Sequence, residues 1–232
     1  MIKGKLNSNG FVIQKQPFRN NSLLLTVLES SGQLFKGLLY NGQKKYIQPF
    51  QPYYFVLNVK PGLSLFEKIE VSQPMISLQA ENLYCAMYIN ELIGRLGENL
   101  KEADGVYSAY HQTLLQLSQT KGLGLEWCLR KFELFFLNEI GFGFDFSTDN
   151  QGQAVNPQAN YQFDIASGLW MANSQSNQAI QCTGEALLAL ANDDLTSAAV
   201  LALAKKINRQ RIQQLLNGKP LISRSFFENA SS

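Results

Sequence analysis

The sequence has few of the residues that enzymes commonly use for chemistry. Its 232 residues include one histidine, His111, and three cysteines, Cys85, Cys128 and Cys182, which lie far apart and form no C-x-x-C pair. An odd, widely spaced set argues against a disulfide framework and against a structural zinc site. We interpret the three cysteines as small apolar residues in a reducing compartment.

Phosphate-binding and catalytic signatures are also missing. The sequence contains no G-x-x-x-x-G-K-[ST], G-x-G-x-x-G or H-E-x-x-H motif, and no G-x-S-x-G accompanies His111. Glu98 and Glu102 are four residues apart, as in some metal-dependent nucleases, but no matching Asp or His stands at ligand spacing. We therefore expect His111 to be a polar helix residue, the two glutamates to form a solvated face, and the protein not to be an enzyme.

No apolar run approaches the roughly 20 residues that a membrane helix needs. The first residues, MIKGKLNSNGFVIQ, lack the apolar stretch of a signal peptide. The composition, 45% hydrophobic and 16% charged, is typical of globular proteins. We expect a cytoplasmic, nucleoid-associated protein with no membrane partner and no cofactor.

The small net charge of +2 conceals a strong separation of charge along the chain. Residues 1–80 hold nine Lys or Arg against three Asp or Glu, residues 81–194 hold five against fourteen, and residues 195–232 hold six against one. Such separation predicts that the two ends face a polyanion while the middle has another role. The alternative is a dipolar surface that serves solubility.

Hydrophobic periodicity predicts an α+β protein with strands first and helices after them. Five short runs separated by turn-prone residues predict a small closed or partly closed barrel: FVI (11–13), SLLLTVL (22–28), LFKGLLY (34–40), FQPYYFVLNV (50–59) and FEKIEV (66–71). After the strands, apolar residues at helical spacing predict three helices. The first begins near Leu78, the second has its expected N-cap at Asp104, and the third runs from about Leu125 to Gly141. Further helices are predicted over 183–191 and 195–216. Before these two helices, residues 145–182 are expected to form an ordered loop or small excursion with a hairpin in YQFDIASGLWMA.

Two groups of cations are candidates for contact with DNA. The first group is interleaved with Phe11, Phe18, Phe35, Tyr40, Tyr46 and Phe50, and cations among aromatic rings suit single strands; it comprises Lys15, Arg19, Lys36, Lys44 and Lys45. The second group has no acidic neighbour between Asp194 and Glu228, although helix-end cations also favour the helix dipole; it comprises Lys205, Lys206, Arg209, Arg211, Lys219 and Arg224.

Several strings resemble the RecO family of recombination mediators, collinearly from about residue 8 to residue 228. They are GFVIQKQPFRNNSLLLTVLESSGQLFKGLL, QPFQPYYF, MYINELIGRL, LRKFELFFLNEIGFG and NGKPLISRSFF. The resemblance implies an N-terminal OB-fold over 1–76, a helical domain over 77–228 with a loop-rich insertion at 145–182, and a disordered tail at 229–232.

The resemblance also implies a function and partners. The chain is expected to bind single- and double-stranded DNA, to anneal complementary strands, and to contact the single-stranded DNA-binding protein SSB and RecR. These contacts indirectly help RecA to replace SSB on gapped DNA. Many relatives hold zinc on four cysteines in the helical domain, but the matching region here offers only Cys182. We therefore expect this chain to lack that zinc, with the segment packed around Trp170 and Phe163 instead.

The resemblance places the binding site for the SSB tail on the third helix. The tail ends in an aromatic residue and a free carboxylate, so its receptor needs an apolar pocket with a cation at its edge, preferably arginine. Arg130 occupies the arginine position of the family string, with Lys131 beside it and Leu129, Phe132 and Phe136 as expected pocket residues. The alternative is that Arg130 forms surface pairs with Glu126 and Glu133.

Two other functions remain open at this point. The first is an interaction adaptor that uses its acidic middle for protein contacts and does not bind DNA directly. The second is a metal-dependent nuclease, which cleavage assays with Mg²⁺ or Mn²⁺ would reveal.

Overall fold

The computed structural model describes residues 4–100, 104–172 and 179–226. The chain forms two compact units, one made of residues up to Lys121 together with those from Leu221 onward, the other of Gly122–Pro220. Five strands come before the first helix, and a small sheet lies among the later helices, which confirms the α+β class with an N-terminal OB-like barrel. The predicted division into an OB-fold domain over 1–76 and a helical domain over 77–228 stays a prediction. The predicted tail at 229–232 lies outside the described residues.

Five strands close the barrel, as the sequence predicts. They are β1 (Gly4–Phe18), β2 (Ser22–Glu29), β3 (Leu34–Leu39), β4 (Pro52–Val59) and β5 (Ser64–Val71). They are hydrogen-bonded in the closed order β1-β2-β3-β5-β4, and only the β3–β5 pair is parallel. Alternation along the strands buries Val12, Leu25, Val27, Phe55 and Phe66 in one core.

The first strand is much longer than the apolar run at 11–13 predicts. Its first half pairs with β4, from Gly4 opposite Val59 to Phe11 opposite Pro52. Its second half pairs with β2, ending at Phe18 opposite Ser22. One strand thus serves two neighbours and closes the barrel, so its length follows from topology rather than from its own hydrophobicity.

Two helices of the first unit pack on the outside of the barrel. They are α1 (Glu81–Leu96) and α2 (Asp104–Gln119), which match the predicted positions. The Phe11 ring lies 5.0 Å from that of Tyr110, whose hydroxyl donates to Asn90 Oδ1 at 2.6 Å. The Asn90 amide in turn donates to the carbonyl of Ile13 at 3.4 Å.

The second unit combines helices with a small sheet. It contains α3 (Leu123–Leu137), β6 (Asn160–Asp164), β7 (Gly168–Met171), β8 (Ile180–Thr183), α4 (Gly184–Ala191) and α5 (Ala198–Leu215). A wide turn at 138–142 follows α3 and includes Gly141 at φ 84°, a left-handed conformation that suits glycine. The hydroxyls of Thr183 and Ser197 cap α4 and α5.

Described residues of the predicted insertion at 145–182 contribute to a three-stranded antiparallel sheet in the order β7-β6-β8. The predicted hairpin is β6 and β7, paired from Tyr161 opposite Met171 to Asp164 opposite Gly168. β8 was not predicted, because its four residues, unlike those of β7, do not follow a short turn directly after another strand. Phe163 is buried and its ring meets that of Phe144 edge to face at 4.9 Å, whereas Trp170 is half-buried.

Candidate nucleic-acid interface

One end of the barrel gathers two segments that carry cations. The hairpin turn after β1 holds Arg19, and the loop between β3 and β4 holds Lys44 and Lys45. Gln43 joins these segments, because its backbone N–H donates to the carbonyl of Asn21 at 3.0 Å and its side-chain amide donates to that of Phe18 at 3.1 Å. All three cationic side chains are exposed.

Lys15 belongs to the same end of the barrel. Its ammonium group donates to the carbonyl oxygen of Ile47 at 2.6 Å, which attaches β1 to the loop that carries Lys44 and Lys45. A carbonyl partner does not neutralise the charge. In contrast, Lys5 and Lys68 of the same barrel form ion pairs with Glu67 and Glu70.

Lys36 lies on β3, opposite Thr26 of β2, and is exposed. Within the described ranges, it forms no ion pair with a carboxylate, and the same holds for Lys15, Arg19, Lys44 and Lys45. We call these five residues the barrel cations. Their charge is therefore available to a polyanion.

Only some of the aromatic residues near these cations are exposed. Tyr46 is 86% exposed, Tyr40 is 61% exposed and Phe18 is 41% exposed. Phe11 and Phe50 are buried, and Phe35 packs against the barrel core. Stacking of bases at this end of the barrel is thus limited to the first three rings.

The second group of predicted DNA-binding cations is split by burial. Lys206, Arg209 and Lys219 are exposed, Lys205 is exposed but paired with Glu126 at 2.8 Å, and Arg224 is half-buried in the first unit. Arg211 is only 7% exposed, and burial lowers its pKa to about 10. Arg211 therefore lies with the buried residues of α5 and apart from the exposed cations of this group.

Arg130 lies in a buried polar cluster of the second unit. Its Nη2 donates to Glu133 Oε1 at 2.6 Å, and the side-chain amide of Asn208 donates to Glu133 Oε2 at 3.1 Å. Arg130 is 7% exposed and Glu133 is 2% exposed. The Arg130–Glu133 pair of the alternative interpretation therefore exists but is buried, while Glu126 pairs with Lys205.

One donor and one acceptor of this cluster form no hydrogen bond among the described residues. Arg130 Nε has no hydrogen-bond partner among the described residues, nor does Asn208 Oδ1. Beside them, Lys131 is exposed and its ammonium lies 4.9 Å from the centre of the Trp127 ring. The predicted pocket residues Leu129, Phe132 and Phe136 are buried, so they support this surface rather than line it.

The remaining candidate residues form no recognisable centre. His111 is half-buried against the Phe11 ring, and burial lowers its pKa. Glu98 is exposed, and Glu102 lies outside the described residues. In the part of the chain that the structure describes, no three His, Cys, Asp or Glu residues are grouped to hold a metal ion. The expected absence of zinc stays a prediction.

Sequence reasoning missed a carboxylate that holds the C-terminal segment. Glu91 of α1 accepts hydrogen bonds from the backbone N–H groups of Ile222 and Ser223 at 2.9 and 2.8 Å and from the Ser223 hydroxyl at 2.6 Å. The Phe226 ring stacks on Tyr84 with centroids 5.7 Å apart. We call these contacts the C-terminal clamp. They join two of the family-like strings, MYINELIGRL and NGKPLISRSFF.

The closed barrel followed by helices defines an α+β protein with an OB-like barrel, five of whose cations form no ion pair among the described residues. A family model described as recombination protein O C terminal matches residues 78–224. The chain belongs to the RecO family of DNA repair and recombination proteins.

Relatives match over nearly their whole length. The DNA repair protein RecO of Pseudoalteromonas translucida is 30% identical over 223 residues, which cover 94% of this chain and 95% of that protein. The RecO of Psychromonas ingrahamii is 30% identical over 228 residues, covering 94% and 96%, respectively. That of Alteromonas mediterranea is 31% identical over 226 residues, covering 94% and 95%. No helix within the described ranges is long and apolar enough to cross a membrane.

Proposed function

We propose that this protein is a recombination mediator that binds DNA and anneals complementary strands. In this role it acts with SSB and RecR to help load RecA in recombinational repair, without catalysing a reaction on DNA. The observation that carries the proposal is the set of barrel cations, which lack carboxylate partners, beside the exposed rings of Tyr40 and Tyr46. Cations neutralise phosphates, and exposed rings stack on unpaired bases. Membership of the RecO family supports the same role.

Replacing both Lys44 and Lys45 by Glu is expected to weaken binding to single-stranded DNA by at least about tenfold. Each phosphate contact that is lost should also flatten the plot of log affinity against log salt by roughly 0.7. Fluorescence anisotropy of a labelled oligonucleotide over a salt series measures both quantities. Lys60→Glu with Lys121→Glu is the matched control, because it makes the same charge change at two other exposed lysines of the first unit that form no ion pair among the described residues.

Equal losses in the two double variants would show that net charge alone governs binding and would contradict the assignment. An unchanged affinity in both would favour an adaptor that does not bind DNA. Tyr46→Ala tests stacking separately. Removing an aromatic ring on which a base stacks should lower the binding free energy for single-stranded DNA by about 1–3 kcal/mol. Duplex binding should change less, and Tyr46→Phe should restore most of the affinity.

We further propose that Arg130 and Lys131 receive the tail of SSB. Arg130 Nε is a donor without a partner, and Lys131 adds an exposed charge next to the Trp127 ring. An acidic peptide with a terminal carboxylate fits this pair of cations. Because only 7% of Arg130 is exposed, the tail must reach the edge of its guanidinium group.

Arg130→Ala is expected to cost about 1–3 kcal/mol of affinity for an SSB-tail peptide, as for loss of a charge-assisted hydrogen bond. Binding to bare DNA should be largely unchanged. Calorimetric titration measures the affinity for the peptide, and fluorescence anisotropy measures the affinity for DNA. Because Arg130 is paired inside the unit, Arg130→Lys and a melting curve serve as controls for folding. Lys121→Ala, which removes an exposed cation elsewhere, should bind the peptide as the parent does; equal affinities for Arg130→Ala and parent would refute the site.

A further inference from the structure

The second unit contains a cavity that the proposed function does not use. Its volume is about 380 Å³, and it lies between the turn at 149–153 and the end of β7. One wall is aromatic and apolar, and the other carries one carboxylate and three amides. The lining residues are Asp149, Asn150, Gln151, Gln153, Trp170 and Met171.

Backbone contacts hold the polar wall in place. Asp149 Oδ1 accepts hydrogen bonds from the backbone N–H groups of Gln151 and Gln153, both at 2.9 Å. The N–H of Asn150 donates to the carbonyl of Leu169 on β7 at 2.7 Å, which attaches the turn to the strand that carries Trp170. The site is therefore formed before any ligand arrives.

The side-chain groups that face this cavity are left without internal partners. Asp149 Oδ2, the amides of Asn150, Gln151 and Gln153, and the indole N–H of Trp170 make no hydrogen bond within the ranges that the structure describes. Met171 is 43% exposed at its edge. A carboxylate oxygen, amide oxygens and an aromatic face are the groups that recognise a cation on a flexible stem.

The charge of the segment that contains this cavity also favours a cationic ligand. Residues 132–204 contain eight Asp or Glu and no Lys, Arg or His. Among the described residues, Glu133 is the one acid of this segment that forms an ion pair. A phosphate would meet the carboxylate of Asp149 with no cation of this segment to offset it, whereas a guanidinium would neutralise that charge.

We propose that this cavity binds an arginine side chain from a basic segment of a partner protein. The guanidinium plane lies against the Trp170 ring, Asp149 Oδ2 accepts from its N–H groups, and the amide oxygens accept the remaining donors. Arginine suits the site better than lysine, because its planar fork both stacks and donates to several acceptors at once. The site is separate from the barrel cations, so its failure would leave the DNA-binding proposal intact.

The two tryptophans of the chain, Trp127 and Trp170, make a direct test possible. The full chain labelled with [¹⁵N]tryptophan should give two indole signals, which Trp127→Phe assigns. Titration with N-acetyl-arginine amide, and with a short peptide containing two arginines, should shift the Trp170 signal saturably and leave that of Trp127 in place. The citrulline analogue, which has nearly the same shape and no charge, should shift it at least tenfold more weakly.

Asp149→Asn should weaken arginine binding about tenfold while keeping an oxygen to accept from Gln151 and Gln153. Asp193→Asn is the matched control, because it removes one charge from the same acidic segment at an exposed position with φ 55°, which asparagine tolerates. DNA affinity should be the same in both variants and the parent. Equal shifts by arginine and citrulline, equal losses in the two variants, or a saturable shift by thymidine monophosphate instead would each overturn the proposal.

Discussion

The Glu133→Ala variant is expected to lose about 3–5 kcal/mol in free energy of unfolding, the usual result of removing one partner of a buried ion pair. The carboxylate of Glu133 accepts from Arg130 on its own helix and from Asn208 on α5. Without it, the Arg130 guanidinium stays inside the unit with no acceptor among the described residues for either Nη2 or Nε, and the Asn208 amide loses its partner. Denaturant unfolding followed by circular dichroism measures the change.

Two comparisons isolate burial as the cause. Glu126→Ala removes an ion pair from the same helix, but Glu126 and Lys205 are both partly exposed, so the loss should stay below about 1 kcal/mol. The joint replacement of Arg130 by Met and Glu133 by Leu should cost less than Glu133→Ala, because no unpaired charge remains in the core. Similar losses for Glu126→Ala and Glu133→Ala would contradict this account.

The Glu91→Ala variant is expected to lose about 2–3 kcal/mol, since several charge-assisted hydrogen bonds share one carboxylate. The side chain of Glu91 is 14% exposed, and the variant leaves two backbone N–H groups and the Ser223 hydroxyl without their acceptor. The free energy of unfolding of Glu91→Gln should lie between those of the parent and Glu91→Ala, because the glutamine amide oxygen still accepts hydrogen bonds. Glu98→Ala, an exposed acid in the same unit, should be nearly neutral; proteolysis at the C-terminal segment provides a second readout.

The same clamp should weaken in acid. Burial alone would raise the pKa of Glu91, but hydrogen bonds from Ser223, Ile222 and Arg95 outweigh it and the pKa is lowered. A carboxyl whose pKa is lower in the folded state stabilises the protein above its unfolded pKa and loses that contribution as pH falls through the folded value. The difference in stability between parent and Glu91→Gln should therefore shrink as pH drops below the range where a free glutamate titrates.

The fold was largely predictable because its signals are local. The Leu-rich run SLLLTVL and the helical spacing of Tyr88, Leu92 and Leu96 depend on residues close in sequence, and the structure has β2 and α1 at those positions. β1 was underestimated because the polar residues 4–10 become strand only through pairing with β4. Pairing with a distant partner leaves no mark on a segment's own hydrophobicity.

The position of charged residues in the core was less predictable. Arg211 was grouped with surface cations, yet Val200, Ala204, Ile207 and Arg211 repeat at helical spacing and all are buried. That spacing was a usable signal, and the charge of Arg211 obscured it. The Glu91 contact had no such signal, because 132 residues separate the carboxylate from Ser223.

The first unit is made of both ends of the sequence, so its last residues are synthesised after the whole of the second unit. Residues Gly122–Pro220 are continuous, so the second unit is complete before Leu221 is added. The barrel with α1 and α2, in contrast, waits for residues 221–226 to supply the partners of Glu91, a delay of roughly 5–20 s at ribosomal rates of about 5–20 residues per second. During that interval the nascent chain carries the barrel cations but no closed clamp.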